Sequence, residues 1–86
     1  MKIEYSPEFV RRFKNLTREL KLKAVEKEEI FRKDNFDPRL KTHKLSGKLK
    51  GRWAFWIDFK NRIIFSYLEI KTSVRFHSVG SHDIYK

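Results

Sequence analysis

The start of the chain carries a strand pattern followed by the pattern of a short helix. In residues 2–5, KIEY, apolar and charged residues alternate, which is typical of a strand. Ser6 is a good N-cap and Pro7 suits the first position of a helix, so together they predict a helix start. Apolar side chains then recur at roughly helical spacing, at Phe9, Phe13 and Leu16. These patterns predict a short strand followed directly by a helix.

A second, longer helix is predicted from Thr17 to about Lys33. Thr17 can cap its first turn. Apolar residues form a stripe along it that includes Leu20, Ala24 and Phe31. Further apolar residues broaden this stripe, as expected for a helix that packs against both a sheet and a neighbouring helix. Residues 35–38 end the helix, because a residue that precedes proline is pushed out of the α region.

From Arg52 onward the apolar residues recur with a period of two, which predicts strands. Three segments show this pattern: 52–59, 62–68 and 72–79. A two-residue turn at Lys60-Asn61 would join the first two strands, and residues 69–71 would turn the chain into the third. The first turn predicts a register that pairs Phe59 with Arg62, Ile57 with Ile64 and Trp56 with Phe65. Both faces of the sheet then carry large side chains, so we expect the second face to be a partly open, concave surface.

The order of these elements predicts an α+β fold. A short N-terminal strand and two helices precede an antiparallel sheet whose C-terminal part is a three-stranded meander, with the helices in one layer on that sheet. The chain has 86 residues and contains no linker, repeat or low-complexity segment. We therefore expect a single domain over residues 1–86.

Composition narrows the class of protein. The chain has no cysteine, which excludes disulfides and thiolate metal sites, and its three histidines lack the spacing of metal ligands. No apolar run approaches the ~20 residues of a membrane-spanning helix, and the N-terminus shows no apolar signal segment. We therefore expect a cytoplasmic protein without a metal, another cofactor or a membrane partner.

Positive charge is concentrated in the second part of the chain, within a total of +10. Residues 1–37 hold ten basic and eight acidic residues, whereas residues 38–86 hold eleven basic and three acidic ones, a net of +8. Such an excess indicates a surface that meets a polyanion, and nucleic acid is the main candidate. The alternative is a charge that serves only solubility.

The densest basic stretch, residues 39–52, is named the basic segment. Six of its fourteen residues are Lys or Arg, and none is acidic. Such loops follow a phosphate backbone because neutralised phosphates release counterions, although a merely solvated loop is the alternative. The residues predicted to contact phosphate here are Lys41, Lys44, Lys48, Lys50 and Arg52. Nearby aromatic residues either stack on unpaired bases or pack in the core: Trp53, Trp56 and Tyr67.

Three short motifs follow one another along the second half of the chain. The chain contains H-K-L-S-G-K-L-K-G, then N-R-I-I-F, and finally V-G-S-H-D-I-Y. In this order and spacing they resemble the RelE/ParE superfamily of toxins of type II toxin–antitoxin systems, most of all its RelE/StbE and YafQ-like branch of mRNA interferases. The resemblance implies a RelE-like fold and a cognate antitoxin that holds the toxin inactive. It also implies cleavage of mRNA in the ribosomal A site by the RNA's own 2′-OH, which leaves a 2′,3′-cyclic phosphate.

That cleavage requires a base, an acid and cations around the phosphate, and the resemblance assigns residues to these roles. His82 and Tyr85 match the family's C-terminal histidine and aromatic positions. Arg62 matches its strand arginine, and His43 matches the YafQ-like histidine before the glycine loop. We expect His82 to transfer a proton, with His43 as the second such residue. Arg62 and lysines of the basic segment, Lys48 and Lys50, would stabilise the phosphate. Tyr85 would stack on or orient the nucleotide, or share the proton transfer.

Two positions depart from the family's pattern. Trp56 stands in a strand where the YafQ-like pattern has a histidine, and Ser78 stands where it has an arginine. Arg75 lies near Ser78 and is predicted to bind phosphate. These departures leave open which residue is the acid and which the base. His77 alternates with Phe76 along a strand and is expected to be structural.

Two other functions stay open. A ParE-like inhibitor of DNA gyrase shares the fold and needs no nuclease residues, and a non-catalytic RNA- or ribosome-binding module would use the same basic surface. The C-terminal residues bear on this choice. Gly80 is expected to turn the chain so that His82 and Tyr85 lie over the sheet near Arg62, whereas the alternative is a plain exposed terminus. Asp83 would either orient an imidazole or face water.

Overall fold

Two helices, five strands and three short 3₁₀ turns follow one another in the computed structural model, which describes residues 1–69 and 72–85. The strands are β1 (Lys2–Tyr5), β2 (His43–Lys44), β3 (Trp53–Trp56), β4 (Arg62–Glu69) and β5 (Ser73–Gly80). The helices are α1 (Pro7–Lys14) and α2 (Arg18–Lys33), and the 3₁₀ turns lie at Pro38–Leu40, Gly47–Leu49 and His82–Tyr85. The turn predicted at residues 69–71 falls largely outside the described residues.

Serine and threonine caps begin the two helices, as predicted. The Phe9 N–H donates to Ser6 Oγ at 3.0 Å, and the Leu20 N–H donates to Thr17 Oγ1 at 3.2 Å. Each bond satisfies a backbone donor that a helix leaves free in its first turn. The Ser6 hydroxyl also donates to the His77 carbonyl oxygen at 2.8 Å. The residue that begins α1 therefore also attaches this helix to β5.

The strands form a mixed sheet in the order β1-β5-β4-β3-β2. The meander from β3 to β5 is antiparallel, and β1 joins β5 in parallel. The predicted α+β fold, with two helices and a C-terminal three-stranded meander, is confirmed. The sequence did not predict β2, which lies inside the basic segment and pairs His43 with Ala54 and Lys44 with Trp53 of β3. This pairing holds the basic segment at the edge of the sheet.

The predicted register between β3 and β4 is wrong by three residues. Trp56 pairs with Arg62 instead of Phe65. Ile57 and Phe59 were predicted to pair with β4 as well, but β3 ends at Trp56 and both lie in the loop that follows. Because side chains alternate between the faces of a strand, the shift changes which residues share a face. The observed register brings the indole of Trp56 and the guanidinium of Arg62 together.

A side-chain-capped loop over residues 57–61 replaces the predicted two-residue turn. Asp58 Oδ1 accepts hydrogen bonds from the backbone N–H of Lys60 at 2.9 Å and from that of Asn61 at 2.7 Å. The Ile57 N–H donates to the Asn61 carbonyl oxygen at 2.9 Å. Aspartate stabilises such turns through bonds to its own local backbone. This local network accounts for the early end of β3.

The core lies between the helices and one face of the sheet. Phe31 of α2 is fully buried there, and its ring centroid lies 4.7 Å from that of Phe55 and 4.9 Å from that of Phe65. Such aromatic pairs bury a large apolar area in stacked or edge-to-face geometry. Trp53 and Tyr67 pack at the margin of this core, so core packing contributes to the position of both. Among the described residues, no helix has the length and apolar character to cross a membrane.

Candidate active site

A pocket of about 740 Å³ opens where β3 ends, β4 begins and the chain leaves β5. The described residues that line it are His43, Trp56, Phe59, Lys60, Arg62, Ser81, His82 and Tyr85. The four residues predicted to be catalytic are all among them, although they come from β2, β4 and the C-terminal 3₁₀ turn. The fold thus brings the predicted catalytic residues to one place.

The C-terminal turn reaches this pocket because β5 ends at Gly80. Gly80 pairs with Arg62 in the sheet. Its φ is +155°, and a Cβ at this position would lie 2.8 Å from Ile84 Cγ2. Glycine leaves room for the chain to fold back so closely. Ile84 is 7% exposed, so its burial attaches the turn while His82 and Tyr85 line the pocket, as the sequence predicted.

Asp83 ties the C-terminal turn to α1. Its carboxylate accepts a hydrogen bond from Arg12 Nη1 at 3.1 Å and another from the Ser81 hydroxyl at 3.1 Å. These bonds, that of Arg12 above all, hold the pKa of Asp83 below its usual value. Orienting an imidazole and facing water were the two roles left open for Asp83. Its contact with Arg12 adds a third role, that of positioning the turn.

Arg62 lies beside Trp56, and both residues line the pocket. Its guanidinium carbon lies 4.1 Å from the centre of the Trp56 ring, and Nη1 donates to the Asp58 carbonyl oxygen at 2.7 Å. Lys41 adds a second cation, with Nζ 5.2 Å from the same ring. A cation over an indole face is attracted by the negative face of the ring. Trp56, which replaces a histidine of the resembled pattern, therefore positions positive charge in this pocket.

His43 is oriented by a backbone carbonyl. Its Nδ1 lies 2.9 Å from the Lys41 carbonyl oxygen. A carbonyl oxygen only accepts, so this contact places the proton of the neutral ring on Nδ1 and leaves Nε2 as an acceptor. Lys41 itself adopts a left-handed backbone with φ 51°, which turns the chain into β2. In the neutral form of the exposed His43 ring, Nε2 is therefore the hydrogen-bond acceptor.

Tyr85 adds a phenol to the pocket. Burial raises the pKa of Tyr85, while the nearby charge of Arg62 acts in the opposite direction. The phenol is therefore protonated near neutral pH and can donate a hydrogen bond. No acidic residue is among the described residues that line the pocket, and the described part of the chain holds no group of three or more side chains that could bind a metal ion. The lining favours an anionic ligand.

The other residues predicted to bind phosphate lie away from this pocket. Three of these predicted residues, all from the basic segment, line a separate groove beside α2: Lys44, Lys50 and Arg52. Arg75 forms an ion pair with Glu4 of β1 at 2.8 Å, so its charge is partly neutralised. Lys48 is exposed and is not among the described residues that line either site. The geometry therefore does not support contact of Lys48 or Lys50 with a phosphate in the pocket.

Three pocket residues were not predicted from the sequence: Phe59, Lys60 and Ser81. Phe59 is 70% exposed, and Lys60 Nζ lies 5.7 Å from the centre of its ring. The sequence pattern places Phe59 in a strand and Lys60 in a tight turn, and neither position predicts a site residue. The signal available was Asp58, an aspartate followed three residues later by Asn61, which is typical of a capped loop. A large apolar side chain in such a loop has little access to the core.

His77 lies outside the pocket. Its Nε2 is 2.7 Å from Ser66 Oγ. Burial lowers the pKa of His77, the charges of Arg52 and Arg75 lower it further, and Glu8 acts in the opposite direction. The ring is therefore neutral at physiological pH and bridges two strands. This agrees with the structural role expected for His77.

Comparison with known proteins identifies the fold. The sequence matches no protein-family model and no curated protein sequence. A YoeB/ParE toxin from Agrobacterium tumefaciens is 14% identical and superposes with a TM-score of 0.79, over 95% of this chain and 99% of that chain. YafQ from E. coli strain BL21(DE3) is 22% identical, with a TM-score of 0.71 over 98% and 96% of the two chains. The chain has the fold of these toxins.

A third solved structure extends this likeness. The matching chain of the YoeB-YefM complex from Staphylococcus aureus is 17% identical, with a TM-score of 0.76 over 95% of this chain and 97% of that chain. The RelE-like fold implied by the sequence motifs is thereby confirmed over nearly the full length. At these identities the likeness shows the fold, and the activity has to be argued from the residues of this chain.

Proposed function

We propose that this protein is the toxin of a toxin–antitoxin pair and acts as an endoribonuclease that cleaves mRNA on the ribosome. The observation that carries the proposal is the pocket of His43, Arg62, His82 and Tyr85. It contains two imidazoles, a guanidinium and a phenol, and no acidic side chain is among the described residues that line it. These are the groups that cleavage by a 2′-OH requires. The fold shared with the YoeB and YafQ toxins supports the same conclusion.

The reaction is an internal transfer of the phosphate. The 2′ oxygen of the RNA bonds to the adjacent phosphorus and the bond to the 5′ oxygen breaks, leaving a 2′,3′-cyclic phosphate and a 5′-hydroxyl. His43 Nε2 accepts the proton of the 2′-OH, because its Nδ1 is bound to the Lys41 carbonyl oxygen. His82 donates a proton to the departing 5′ oxygen, and the Tyr85 phenol donates a hydrogen bond to the phosphate. The RNA supplies the nucleophile, so the mechanism uses no metal ion.

Charge stabilisation in the proposed mechanism comes from Arg62, Lys41 and Lys60. Negative charge grows on the non-bridging phosphate oxygens as the 2′ oxygen attacks, and cations held in place beforehand stabilise that charge most effectively. Arg62 meets this requirement, because Trp56 and the Asp58 carbonyl oxygen hold its guanidinium. The exposed ring of Phe59 offers a surface on which an unpaired base next to the cleaved bond can stack.

An antitoxin partner is part of the proposal. A solved neighbour is described as a heterotetrameric YoeB-YefM toxin–antitoxin complex, and another as a DinJ-YafQ complex. The net charge of +10 on this chain suits an acidic partner that covers the basic surface. Action on translating ribosomes would place the protein in the cytoplasm.

The test is primer extension on mRNA from a purified translation reaction to which the protein has been added. We expect new 5′ ends within the A-site codon and a 2′,3′-cyclic phosphate on the upstream fragment. His82→Gln is expected to cleave about 10²–10⁴-fold more slowly, the usual loss for a proton-transfer residue. His77→Gln, which changes a histidine outside the pocket in the same way, should cleave as the wild type does.

Two outcomes would count against the proposal. Absence of cleaved mRNA at any protein concentration would leave a non-catalytic RNA- or ribosome-binding role. Inhibition of DNA supercoiling by gyrase that persists in His82→Gln would indicate a ParE-like activity instead.

A further inference from the structure

A larger groove lies beside the end of α2, and we name it the aromatic groove. It has a volume of about 1070 Å³ and is lined by the last turn of α2, the residues that follow it and the basic segment. Phe36 meets Trp53 edge to face at 5.6 Å between ring centroids, and Trp53 meets Tyr67 edge to face at 5.7 Å. Phe36 is 56% exposed. The outer ring of this row therefore presents an open apolar surface.

Cations surround this aromatic row. Lys44 Nζ lies 5.4 Å from the centre of the Trp53 ring, and Lys50 lines the same groove. Five basic residues and one acidic residue are among the described lining residues. The acidic one is Asp34, whose carboxylate accepts a hydrogen bond from the Phe36 N–H at 2.9 Å. A ligand that combines flat apolar rings with negative charge fits this lining.

The aromatic groove is adjacent to the candidate active site through β2. His43 and Lys44 are consecutive residues of this strand, so their side chains point to opposite faces. His43 lines the pocket, whereas Lys44 lines the groove. Because β2 is an edge strand of the sheet, a flexible polyanion that leaves the pocket reaches the groove by passing around one strand.

We infer that the aromatic groove is a second RNA-binding site, which holds an unpaired nucleotide a few positions from the cleaved bond. This inference rests on the proposed action on RNA. The base stacks on Phe36 and contacts Trp53, while Lys44 and Lys50 contact the flanking phosphates. Aromatic side chains stack on any base, and cations along the same surface follow the backbone. An acidic protein segment would also match the charge, but the continuity with His43 favours RNA.

The test measures binding of a fluorescent 2′-O-methyl oligonucleotide by anisotropy. An oligonucleotide of about eight nucleotides is within the range that single-strand-binding domains cover, and it cannot be cleaved because it has no 2′-OH. The test variants are Phe36→Ala and Lys44→Ala. Leu22→Ala is the matched control for the first, because Leu22 is also an exposed apolar side chain, 64% exposed on α2. Lys23→Ala, an exposed lysine of α2, is the matched control for the second.

The two test variants should weaken binding in different ways. Phe36→Ala is expected to raise Kd about fivefold or more, as for the loss of one stacked base, with an unchanged salt dependence. Lys44→Ala should reduce the slope of log K against log salt by about 0.7, the value for one phosphate contact on a single strand. Both controls should bind as the wild type does. With an oligonucleotide that lacks its bases, wild type and Phe36→Ala should bind equally.

Equal binding of the intact oligonucleotide by wild type and Phe36→Ala would overturn the inference. Loss of antitoxin binding in the same variant would then assign the aromatic groove to a protein partner. The probe is not cleavable, so this result does not depend on catalysis. A protein that shows the Phe36 dependence but cleaves no mRNA would contradict the proposed function and leave the second RNA site intact.

Discussion

Replacing Gly80 with alanine tests how the C-terminal turn is held at the pocket. The new Cβ would lie 2.8 Å from Ile84 Cγ2 and 3.4 Å from Asp83 Oδ1. Overpacking of this kind costs about 1–3 kcal/mol. The interactions that hold the turn in place contribute free energies of similar magnitude. Burial of Ile84 contributes about 1.5–3 kcal/mol, and the half-exposed ion pair between Asp83 and Arg12 contributes at most about 1 kcal/mol. We therefore expect the turn to leave the pocket in many molecules, while the rest of the fold stays intact.

The assay is the rate of mRNA cleavage on ribosomes, with thermal unfolding as a control for the fold. Because 1.4 kcal/mol corresponds to a factor of ten, a cost of about 1–3 kcal/mol lowers the ratio of docked to undocked turns about 5- to 150-fold. We expect the cleavage rate of Gly80→Ala to fall in proportion to the docked fraction. Gly47→Ala is the matched control. Gly47 also has a positive φ, +65°, but apart from its chain neighbours no atom of the described residues lies within 4 Å of its Cβ position. In the Gly80→Ala background, Ile84→Leu removes the Cγ2 branch and should restore the part of the rate that this contact costs, while the strain of alanine at φ +155° remains.

Two results would refute this reasoning. Cleavage by Gly80→Ala at the wild-type rate would show that close docking of the turn is not required for activity. Failure of Ile84→Leu to restore activity, in a protein that is still folded, would show that the contact between residues 80 and 84 is not the cause.

Three further predictions follow from individual contacts. Arg62→Lys keeps the charge but loses the planar guanidinium that stacks on Trp56 and donates to the Asp58 carbonyl oxygen. The rate of single-turnover cleavage should therefore fall about 10²-fold. An unchanged rate would show that charge alone suffices. Phe31→Ala should lower the free energy of unfolding in urea by about 3–5 kcal/mol, because Phe31 is fully buried among aromatic rings; a loss below about 1 kcal/mol would contradict its central place in the core. Burial lowers the pKa of His77 in the folded protein, so the unfolded chain binds the proton more tightly. The contribution of His77 to stability should therefore decline as the pH falls below its unfolded pKa of about 6.5 and towards its folded pKa. Urea unfolding between pH 5 and 7 should show a shallower pH dependence in His77→Gln, and identical profiles would refute this.

Local patterns in the sequence predicted the helices and the fold class. Ser6 and Thr17 begin α1 and α2 through bonds to N–H groups three residues along the chain, and interactions of this range depend little on the rest of the molecule. The period of two along the second half predicted the meander for the same reason. The family resemblance of three motifs singled out four of the residues that line the pocket, and their catalytic roles stay predictions.

The pairing of distant segments was decided only by the tertiary structure. The carboxylate of Asp58 holds a longer loop than the sequence suggested, which shifted the register and placed Trp56 beside Arg62. The same shift turned Phe59 and Lys60 into pocket residues. The sequence predicted that the basic segment forms one phosphate-binding loop. In the structure, β2 divides the side chains of this segment between the pocket and the groove beside α2.

The physical reason is the range of the interactions involved. Capping bonds and side-chain periodicity act within a few residues, so the sequence alone determined the helices, the strands and the fold class. His43 and His82 line the same pocket because β2 pairs with β3, and because Gly80 lets Ile84 pack against the end of β5. This arrangement depends on strand register and on close packing between segments that are far apart in the chain. A local sequence pattern specifies neither the register nor the packing.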